Sequence, residues 1–263
     1  MSGGPAGGNH LSDSRLPGRV CTFTLAWQVF EDAPVVVAAN RDEQLGRESE
    51  PPARRDWERP VVAPQDAEAG GTWIGYNDAG VLVSVTNRWA DTDLAAERSR
   101  GLLVRDALRQ DTAEDAVRYV ERDLDGREYD GFNLVAVDAD AALLVEWDGN
   151  RRVSQFDPGV HVVVNVGADG RYTIPSRREE VAERQATNAD RLREHLRPEP
   201  GEHSRKWLDR AAAAISDHEF GVCIHGDGFG TRSSSLVRLG ADGDSYEYAD
   251  GPPCETPFEP VDV

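Results

Sequence analysis

The sequence predicts an α+β fold, in which strands and helices occur in separate blocks along the chain. Two apolar runs of strand length, at 21–30 and 35–39, are separated by a short polar break that contains Pro34, and this pattern is typical of a β-hairpin. Two helix patterns follow the early strands, and two more follow the middle strands. Strand patterns return after each helix pair. Blocks of this kind favour layered antiparallel sheets over an alternation of parallel strands and helices.

The early strands are followed by two capped helices. Residues 44–60 contain three prolines and several charges, so we expect a loop there. Residues 77–80 carry a turn signal between two strand patterns. Ser99 is the expected N-cap of one helix, and Thr112 with Asp115 resembles a capping box that opens the next helix, which extends to about 124. Short strands are predicted at 61–63, 72–76 and 81–86.

The second half of the chain repeats this arrangement. Ser176 with Glu179 is predicted to cap a long helix to about 196, and Ser204 is predicted to open a further helix to about 215. The remaining strands are predicted at 132–137, 142–147, 160–165, 221–225, 233–239 and 245–248.

A length of 263 residues suits one large domain, which we place at 21–250. Residues 1–20 are rich in Gly and lack an apolar run, so we expect a disordered extension or a wrongly assigned chain start. Residues 251–263 contain prolines without periodicity and are predicted to be a C-terminal tail.

The chain is strongly acidic, with a formal net charge of -19 and 48 acidic against 29 basic residues. Lys206 is its single lysine. One interpretation is a halophilic protein that works in concentrated salt, where the Debye length falls to about 3 Å. The other is an ordinary acidic protein from a GC-rich genome, in which Arg replaces Lys. Both exclude a nucleic-acid partner, because no basic stripe is present.

Cysteine usage and hydropathy indicate a cytoplasmic protein. The three cysteines, Cys21, Cys223 and Cys254, are too few and odd in number for a disulfide framework. No segment approaches the roughly 20 apolar residues of a membrane-spanning helix, and residues 1–20 lack the apolar region of a secretory signal. The expected partner is therefore a small-molecule substrate or ligand, without a membrane span.

Two motifs were considered as a metal site and as a phosphate-binding loop, and neither function is predicted. Cys223 and His225 alternate along the chain and could face one side, but without a second cluster of ligands a metal site is not predicted. Gly70 and Gly71 lack the lysine and the following helix of a phosphate loop. These glycines are instead expected to let a loop approach the site closely. No cofactor is predicted from these motifs.

Four ordered blocks between 21 and 239 resemble the NRDE family, which includes the eukaryotic transport and Golgi organisation proteins. The family name matches Asn-Arg-Asp-Glu at 40–43. NRDE proteins resemble N-terminal nucleophile hydrolases, so the resemblance implies a four-layer αββα sandwich. The other blocks are Cys-Thr at 21–22, Gly-Gly-Thr-Trp-Ile-Gly at 70–75 with Thr-Asn-Arg at 86–88, and Cys-Ile-His-Gly-Asp-Gly-Phe-Gly-Thr-Arg-Ser-Ser-Ser at 223–235.

The resemblance implies that Cys21 is a catalytic nucleophile whose own α-amine, of pKa about 7.7–8.0, acts as the base. The alternative is a buried strand cysteine that behaves as a small hydrophobe. The catalytic scheme requires a free amine, whereas the printed chain binds this nitrogen to Val20. Autoproteolysis at Val20–Cys21 would release it, and so would initiation at a GTG codon for Val20 followed by methionine removal. Otherwise, residues 1–20 are a dispensable tail on a protein that does not use its cysteine.

Two asparagines are further catalytic candidates. Asn87 and Asn165 each end a predicted strand, a layout similar to that of penicillin V acylases and bile-salt hydrolases. In that group such residues are essential, and one helps to form the oxyanion hole. An amide N–H directed at a developing oxyanion contributes a few kcal/mol. The alternative for Asn87 is a strand end that hydrogen-bonds its own turn.

Arg41, Asp42, Trp73 and Arg232 are assigned to substrate binding. Arg41 and Asp42 match, in type and order, an Arg and an Asp of the same hydrolases, although those two are not adjacent there. The alternative is a structural ion pair at the hairpin end. Arg232 could bind a substrate carboxylate through two hydrogen bonds or could hold a surface loop.

Two functions follow from the resemblance. The first is a cysteine amidohydrolase that acts on a linear amide or related acyl bond. The second is a non-catalytic carrier or trafficking protein for haem or acyl lipids on the same fold. Fold alone does not decide between them, because unrelated functions share folds.

Overall fold

The computed structural model describes residues 21–262, so the extension expected at 1–20 lies outside the described residues. The helices are α1 (Arg100–Ala107), α2 (Ala113–Leu124), α3 (Glu179–His195) and α4 (Ser204–Ser216). The strands are β1 (Thr22–Phe30), β2 (Ala33–Gln44), β3 (Ser49–Asp56), β4 (Pro60–Asp66), β5 (Ile74–Asn77), β6 (Leu82–Asn87), β7 (Phe132–Val137), β8 (Ala142–Trp147), β9 (Arg151–Gln155), β10 (Gly159–Val164), β11 (Gly167–Ala168), β12 (Arg171–Tyr172), β13 (Phe229–Leu239), β14 (Ser245–Ala249) and β15 (Glu259–Pro260).

The strands form two antiparallel sheets. The first has the order β12-β11-β10-β1-β2-β13-β14-β15, and the second has the order β3-β4-β5-β6-β7-β8-β9. Strand β1 lies between β10 and β2, with Thr22 opposite Val164 on one side and Asn40 on the other. The start of β1, the end of β2 and the end of β10 therefore lie side by side, at the same end of these three strands.

Three apolar clusters show that the sheets and helices form four layers. One cluster joins the inner faces of the two sheets, and Phe23 and Leu25 of β1 lie in it with Leu144 of β8. A second cluster packs α3 and α4 on the first sheet, and a third packs α1 and α2 on the second sheet. Because successive side chains of a strand point to opposite faces, β1 is buried on both sides. The predicted αββα sandwich is confirmed.

Local signals predict some helix starts and miss others. The side chain of Ser99 accepts a hydrogen bond from Gly101 N, and that of Thr112 accepts one from Asp115 N, as expected of N-caps. The cap predicted at Ser176 is wrong, because its hydroxyl donates to Asp91 Oδ1 at 2.9 Å and a 3-10 turn precedes α3. Helix α4 begins at Ser204, as predicted, and its N-cap is His203.

Sheet pairing corrects three other predictions. Residues 44–60 are not only a loop, because β3 pairs with β4 at the edge of the second sheet, with a bulge between Glu50 and Ala53 that accommodates two prolines. Strand β2 continues past Ala39 because β13 pairs with it as far as Gln44. Residues 221–225 form a loop rather than a strand, with only an isolated bridge at His225.

The tail predicted at 251–263 contributes to the first sheet. Strand β15 pairs with β14, with Glu259 opposite Tyr248, so residues 251–262 are held against the sheet edge. Within the described part of the chain, no helix combines the length and apolar character needed to cross a membrane.

Candidate active site

A cavity of about 110 Å³ opens between the two sheets, at the end of the first sheet where β1 begins and β2 ends. The first sheet contributes the residues around Cys21 and the Asn-Arg-Asp-Glu tetrad, and the second sheet contributes the ends of β5 and β6. The N-terminus of α1 closes one side. Five of the predicted site residues line this cavity: Cys21, Arg41, Asp42, Trp73 and Asn87.

Cys21 is buried, with 8% of its surface exposed. Its Sγ lies 3.7 Å from the backbone oxygen of Asp42 and 4.0 Å from Asn87 Nδ2. Burial and the nearby Asp42 carboxylate raise the pKa of the Cys21 thiol to about 11. A group with this pKa is a thiol at neutral pH, so it needs a base in order to act as a nucleophile.

Asn165 orients the backbone nitrogen of Cys21. It directly follows β10 and is fully buried. Its Oδ1 accepts a hydrogen bond of 2.9 Å from Cys21 N and another of 2.8 Å from Gln185 Nε2 on α3. Asn165 therefore contacts the backbone nitrogen of Cys21 through its side-chain oxygen, whereas Asn87 presents an amide N–H beside the sulfur. The two asparagines are in contact with different atoms of one residue.

Asp42 is a buried carboxyl group that faces the same cavity. Its Oδ1 accepts a hydrogen bond of 2.6 Å from the Thr231 hydroxyl, and its Oδ2 has no hydrogen-bond partner within residues 21–262. Desolvation raises the pKa of the Asp42 carboxyl well above its ordinary value. A negative charge at Asp42 is consequently costly until a cation or donor reaches its second oxygen.

Arg41 supplies a buried cation. Its guanidinium lies 4.0 Å above the Trp73 ring, and its Nη2 lies 3.8 Å from Glu43 and 4.0 Å from Asp66. Its Nη1 is buried and makes no hydrogen bond within the part of the chain that the structure describes. Desolvation lowers the pKa of the Arg41 guanidinium. Because Arg41 is one of the lining residues, it places a cation and an unused N–H group at the wall of the cavity.

Two other motif residues have structural roles. Asn40 Nδ2 donates to the backbone oxygens of Ile215 and Val222, at 2.9 and 2.8 Å, so it fastens the end of α4 and the following loop to β2. Arg88 is buried and pairs with Glu146 at 2.7 Å and Asp148 at 3.0 Å. The family motifs therefore combine groups that face the cavity with groups that hold the layers together.

The structure does not bring Arg232 into the cavity. A bulge in β13 between Thr231 and Ser233 places Arg232 outside the regular pairing, and its guanidinium forms a 2.8 Å ion pair with Asp250. Its neighbour Thr231, in the same motif, is the residue that contacts Asp42.

Close backbone contact explains the Gly-Gly motif. A Cβ atom on Gly71 would lie 2.2 Å from the carbonyl carbon of Gly101, at the start of α1. Thr72 N also donates to the oxygen of Gly101 at 3.0 Å. Glycine at 71 is thus required for the loop that carries Trp73 to pack on α1, in agreement with the expected close approach.

Comparison with known families assigns the chain. The sequence profile of the Transport and Golgi organisation 2 (TANGO2) family matches residues 20–249. The chain belongs to the TANGO2 family. The human Transport and Golgi organization protein 2 homolog is 29% identical over 241 residues, which cover 80% of this chain and 83% of that protein. The Bos taurus homolog is 29% identical over 243 residues, with the same coverage. The resemblance to the NRDE proteins is confirmed.

Solved structures place this TANGO2 family member in the N-terminal nucleophile hydrolase fold. Penicillin V acylase from Agrobacterium tumefaciens superposes with a TM-score of 0.52 at 15% identity, over 88% of this chain and 83% of that chain. The Caenorhabditis elegans ortholog of N-acylethanolamine-hydrolyzing acid amidase gives 0.53 at 13%, over 82% and 92%. A conjugated bile acid hydrolase from Clostridium perfringens gives 0.51 at 12%, over 92% of each chain. At these identities the likeness defines the fold, and function has to be argued from the site.

Proposed function

We propose that this TANGO2 family member is a cysteine amidohydrolase that cleaves a linear amide or a related acyl bond. The observation that carries the proposal is the position of Cys21, whose nitrogen is held by Asn165 and whose sulfur lies beside Asn87 in a small cavity. The nucleophile, the nitrogen that becomes its base once it is a free amine, and an N–H donor are thus close together, as acyl transfer requires.

In the proposed reaction, the α-amine of Cys21 takes the thiol proton while Sγ attacks the carbonyl carbon. The electron pair of the carbonyl bond moves to oxygen, and Asn87 Nδ2 donates to this oxyanion. When the intermediate collapses, the carbon–nitrogen bond breaks and the ammonium proton passes to the leaving amine. Water then attacks the thioester, with the amine again as base, and releases the acid and the free thiol. Asn165 keeps the amine directed at the sulfur throughout.

The mechanism requires processing that exposes the nitrogen of Cys21. In the printed chain this nitrogen is in a peptide bond with Val20, which leaves the thiol without the base that its raised pKa demands.

Arg41 suggests that the substrate carries a carboxylate close to the scissile bond. The cavity lining includes three arginines and three acidic residues, and burial disfavours the charge of one of them, Asp42. The net charge of the residues that line the cavity is therefore positive when Asp42 is protonated. The unpartnered Nη1 of Arg41 is the natural donor to a substrate oxygen. A volume of about 110 Å³ accommodates the part of a substrate next to the amide rather than a whole large ligand.

The carrier hypothesis agrees with one observation, which is that the pKa of the peptide-bound Cys21 is raised to about 11, so that the residue is a neutral thiol at neutral pH. The cavity does not fit haem. Its lining offers Cys21 but no histidine as an axial ligand, and about 110 Å³ is below the roughly 300–1,000 Å³ of pockets that enclose ligands of drug size. The geometry of this site supports amide hydrolysis better.

The decisive experiment compares two forms of the protein, one that begins at Cys21 and one that retains residues 1–20 in an uncleaved state. Each is assayed with a panel of acyl amides, with and without a carboxylate next to the amide. We expect turnover only from the form that begins at Cys21, and loss of turnover in Cys21→Ala. Peptide mapping of a thiol-directed acyl probe should locate the label at Cys21 and not at the exposed Cys254. N-terminal sequencing of protein from the native source should find Cys21 first.

Two results would reject the proposal. Equal turnover from both forms would remove the α-amine from the mechanism. The absence of turnover from the form that begins at Cys21, together with saturable haem or acyl-lipid binding that survives Cys21→Ala, would favour the carrier.

A further inference from the structure

Outside the cavity, the fold gathers a second group of chemically active side chains. We propose that they bind one divalent ion of the zinc class in tetrahedral geometry. The four ligands are His218, Cys223, His225 and Cys254. None of them lines the cavity around Cys21, so the proposal does not depend on amide hydrolysis.

The distances between the ligand atoms fit a single small ion. The Sγ atoms of Cys223 and Cys254 lie 3.5 Å apart. His225 Nε2 lies 3.7 Å from the sulfur of Cys223 and 3.0 Å from that of Cys254. Zinc bonds of about 2.3 Å to sulfur and 2.0–2.1 Å to nitrogen imply tetrahedral edges of about 3.8 Å between sulfurs and about 3.6 Å between sulfur and nitrogen.

The fourth ligand completes the set. One ligand atom of His218 lies, with the other three ligand atoms, in a group whose members are all within 4.8 Å of one another, and its ring meets that of His225 edge to face at 5.2 Å. Two thiolates and two imidazoles in a compact group are the donor set that selects zinc among the common divalent ions.

Two segments that are separate in sequence meet at this position. His218 begins a 3-10 turn that ends at Gly221, where a φ of 61° reverses the chain and returns Cys223 and His225 towards His218. A residue with a side chain is disfavoured at Gly221 by this φ. Cys254 arrives from the C-terminal segment, 31 positions after Cys223.

A disulfide explains the cluster less well than an ion does. The three cysteines are free, and the distance of 3.5 Å between the sulfurs of Cys223 and Cys254 is far longer than the roughly 2.05 Å of a disulfide bond. A disulfide would also give no role to His218 and His225, whereas an ion employs all four groups.

The ion would connect the C-terminal segment to a loop that supports the cavity. Val222 O accepts the hydrogen bond from Asn40. Ile224 N donates to Thr231 Oγ1 at 2.9 Å, and Ile224 O accepts from Thr231 N at 2.9 Å. Thr231 in turn holds Asp42. The two sequence neighbours of Cys223, which are Val222 and Ile224, are therefore hydrogen-bonded to β2 and β13. An ion bound at Cys223 would stabilise this loop against the strand that carries Asn40 and Asp42.

The experiment measures metal content in the full chain, purified without a histidine tag under reducing conditions. We expect about one zinc per chain by mass spectrometry of the elements, and less than about a tenth of this in the double variant Cys223→Ser/Cys254→Ser. Cobalt substitution should give the visible bands of tetrahedral thiolate coordination, and these should vanish in the double variant. Cys21→Ser is the matched control, because it removes a cysteine outside the cluster and should retain the metal.

A second variant guards against misfolding of the first. His225→Asn changes an exposed side chain and should lose most of the zinc while its circular dichroism remains that of the wild type. The proposal is overturned if the wild-type chain, purified under reducing conditions, binds neither zinc nor cobalt. It is equally overturned if the chain purified in this way contains a Cys223–Cys254 disulfide in place of the metal. It is also overturned if the metal content survives the double cysteine substitution.

Discussion

The side-chain oxygen of Asn165 lies 2.9 Å from the backbone nitrogen of Cys21, across 144 positions of sequence. The contact exists because β10 pairs with β1, so that the end of one strand lies beside the start of the other. It gives a proposed base a defined orientation at the position where the proposed nucleophile enters the sheet.

Asn165→Ala tests whether this contact supports catalysis. The substitution removes the acceptor for Cys21 N, and we expect kcat for amide hydrolysis to fall by about 10²–10³-fold, the scale found for loss of one active-site hydrogen-bonding side chain. The control is Gln185→Leu, which removes a second donor to Asn165 Oδ1 and leaves Cys21 unchanged. Equal losses of kcat in both variants, with equal losses of melting temperature, would show that Asn165 has only a structural role.

Asp42→Asn tests the cost of the buried carboxyl group. The pKa of Asp42 is raised in the folded protein, so above the ordinary value of about 3.9 the unfolded chain loses this proton while the folded chain retains it. The contribution of Asp42 to the free energy of unfolding therefore decreases as pH rises through the folded-state pKa. Asparagine keeps an oxygen that accepts the hydrogen bond from Thr231. We expect the free energy of unfolding of the variant to exceed that of the wild type by about 1–3 kcal/mol at neutral pH.

Urea unfolding over a series of pH values measures this effect. The stability difference between Asp42→Asn and the wild type should increase from acid to neutral pH. Asp242→Asn, at an exposed position, controls for the loss of one negative charge. A difference that is constant with pH would contradict a raised pKa at Asp42.

Arg41→Lys separates the geometry of the cation from its charge. Lysine keeps a positive charge but loses the planar stack on Trp73 and the paired N–H donors. For an amide substrate with an adjacent carboxylate, we expect KM to rise by about 10–100-fold while kcat changes little, because a charge-assisted hydrogen bond contributes about 1.5–3 kcal/mol. Arg232→Lys is the control, since its guanidinium pairs with Asp250 outside the cavity. An equal rise in KM for the neutral amide would reject carboxylate recognition.

The halophilic interpretation predicts that molar salt stabilises the native state. A net charge of -19 opposes compaction at low ionic strength, and concentrated salt screens this repulsion. The melting temperature should therefore rise between low and molar potassium chloride, and it should rise by more than in sucrose of equal osmolality, which does not screen charge. A melting temperature that stays constant or falls over this range of salt would support an ordinary acidic protein.

Local signals in the sequence were sufficient for most of the framework. The apolar periodicity of β1 and the capping residue Thr112 of α2 act over a few positions, and both predictions are confirmed. Polar edge strands such as β3 and β9 lack this signal, because their pairing depends on a partner strand rather than on their own residues. Ser176 failed as a cap because Asp91, distant in sequence, binds its hydroxyl.

The family and most of the order of helices and strands could be predicted from the sequence, and the resemblance also indicated Cys21, Asn87 and Asn165. Which atoms come into contact could not be predicted before the fold was known. Gln185 reaches Asn165 from a helix, and Cys254 reaches Cys223 from the C-terminal segment; neither position has a motif that predicts the contact. The reason is physical: sheet register and the packing of helices on sheets bring together residues that are far apart in the chain, and periodicity within one segment carries no information about its partner.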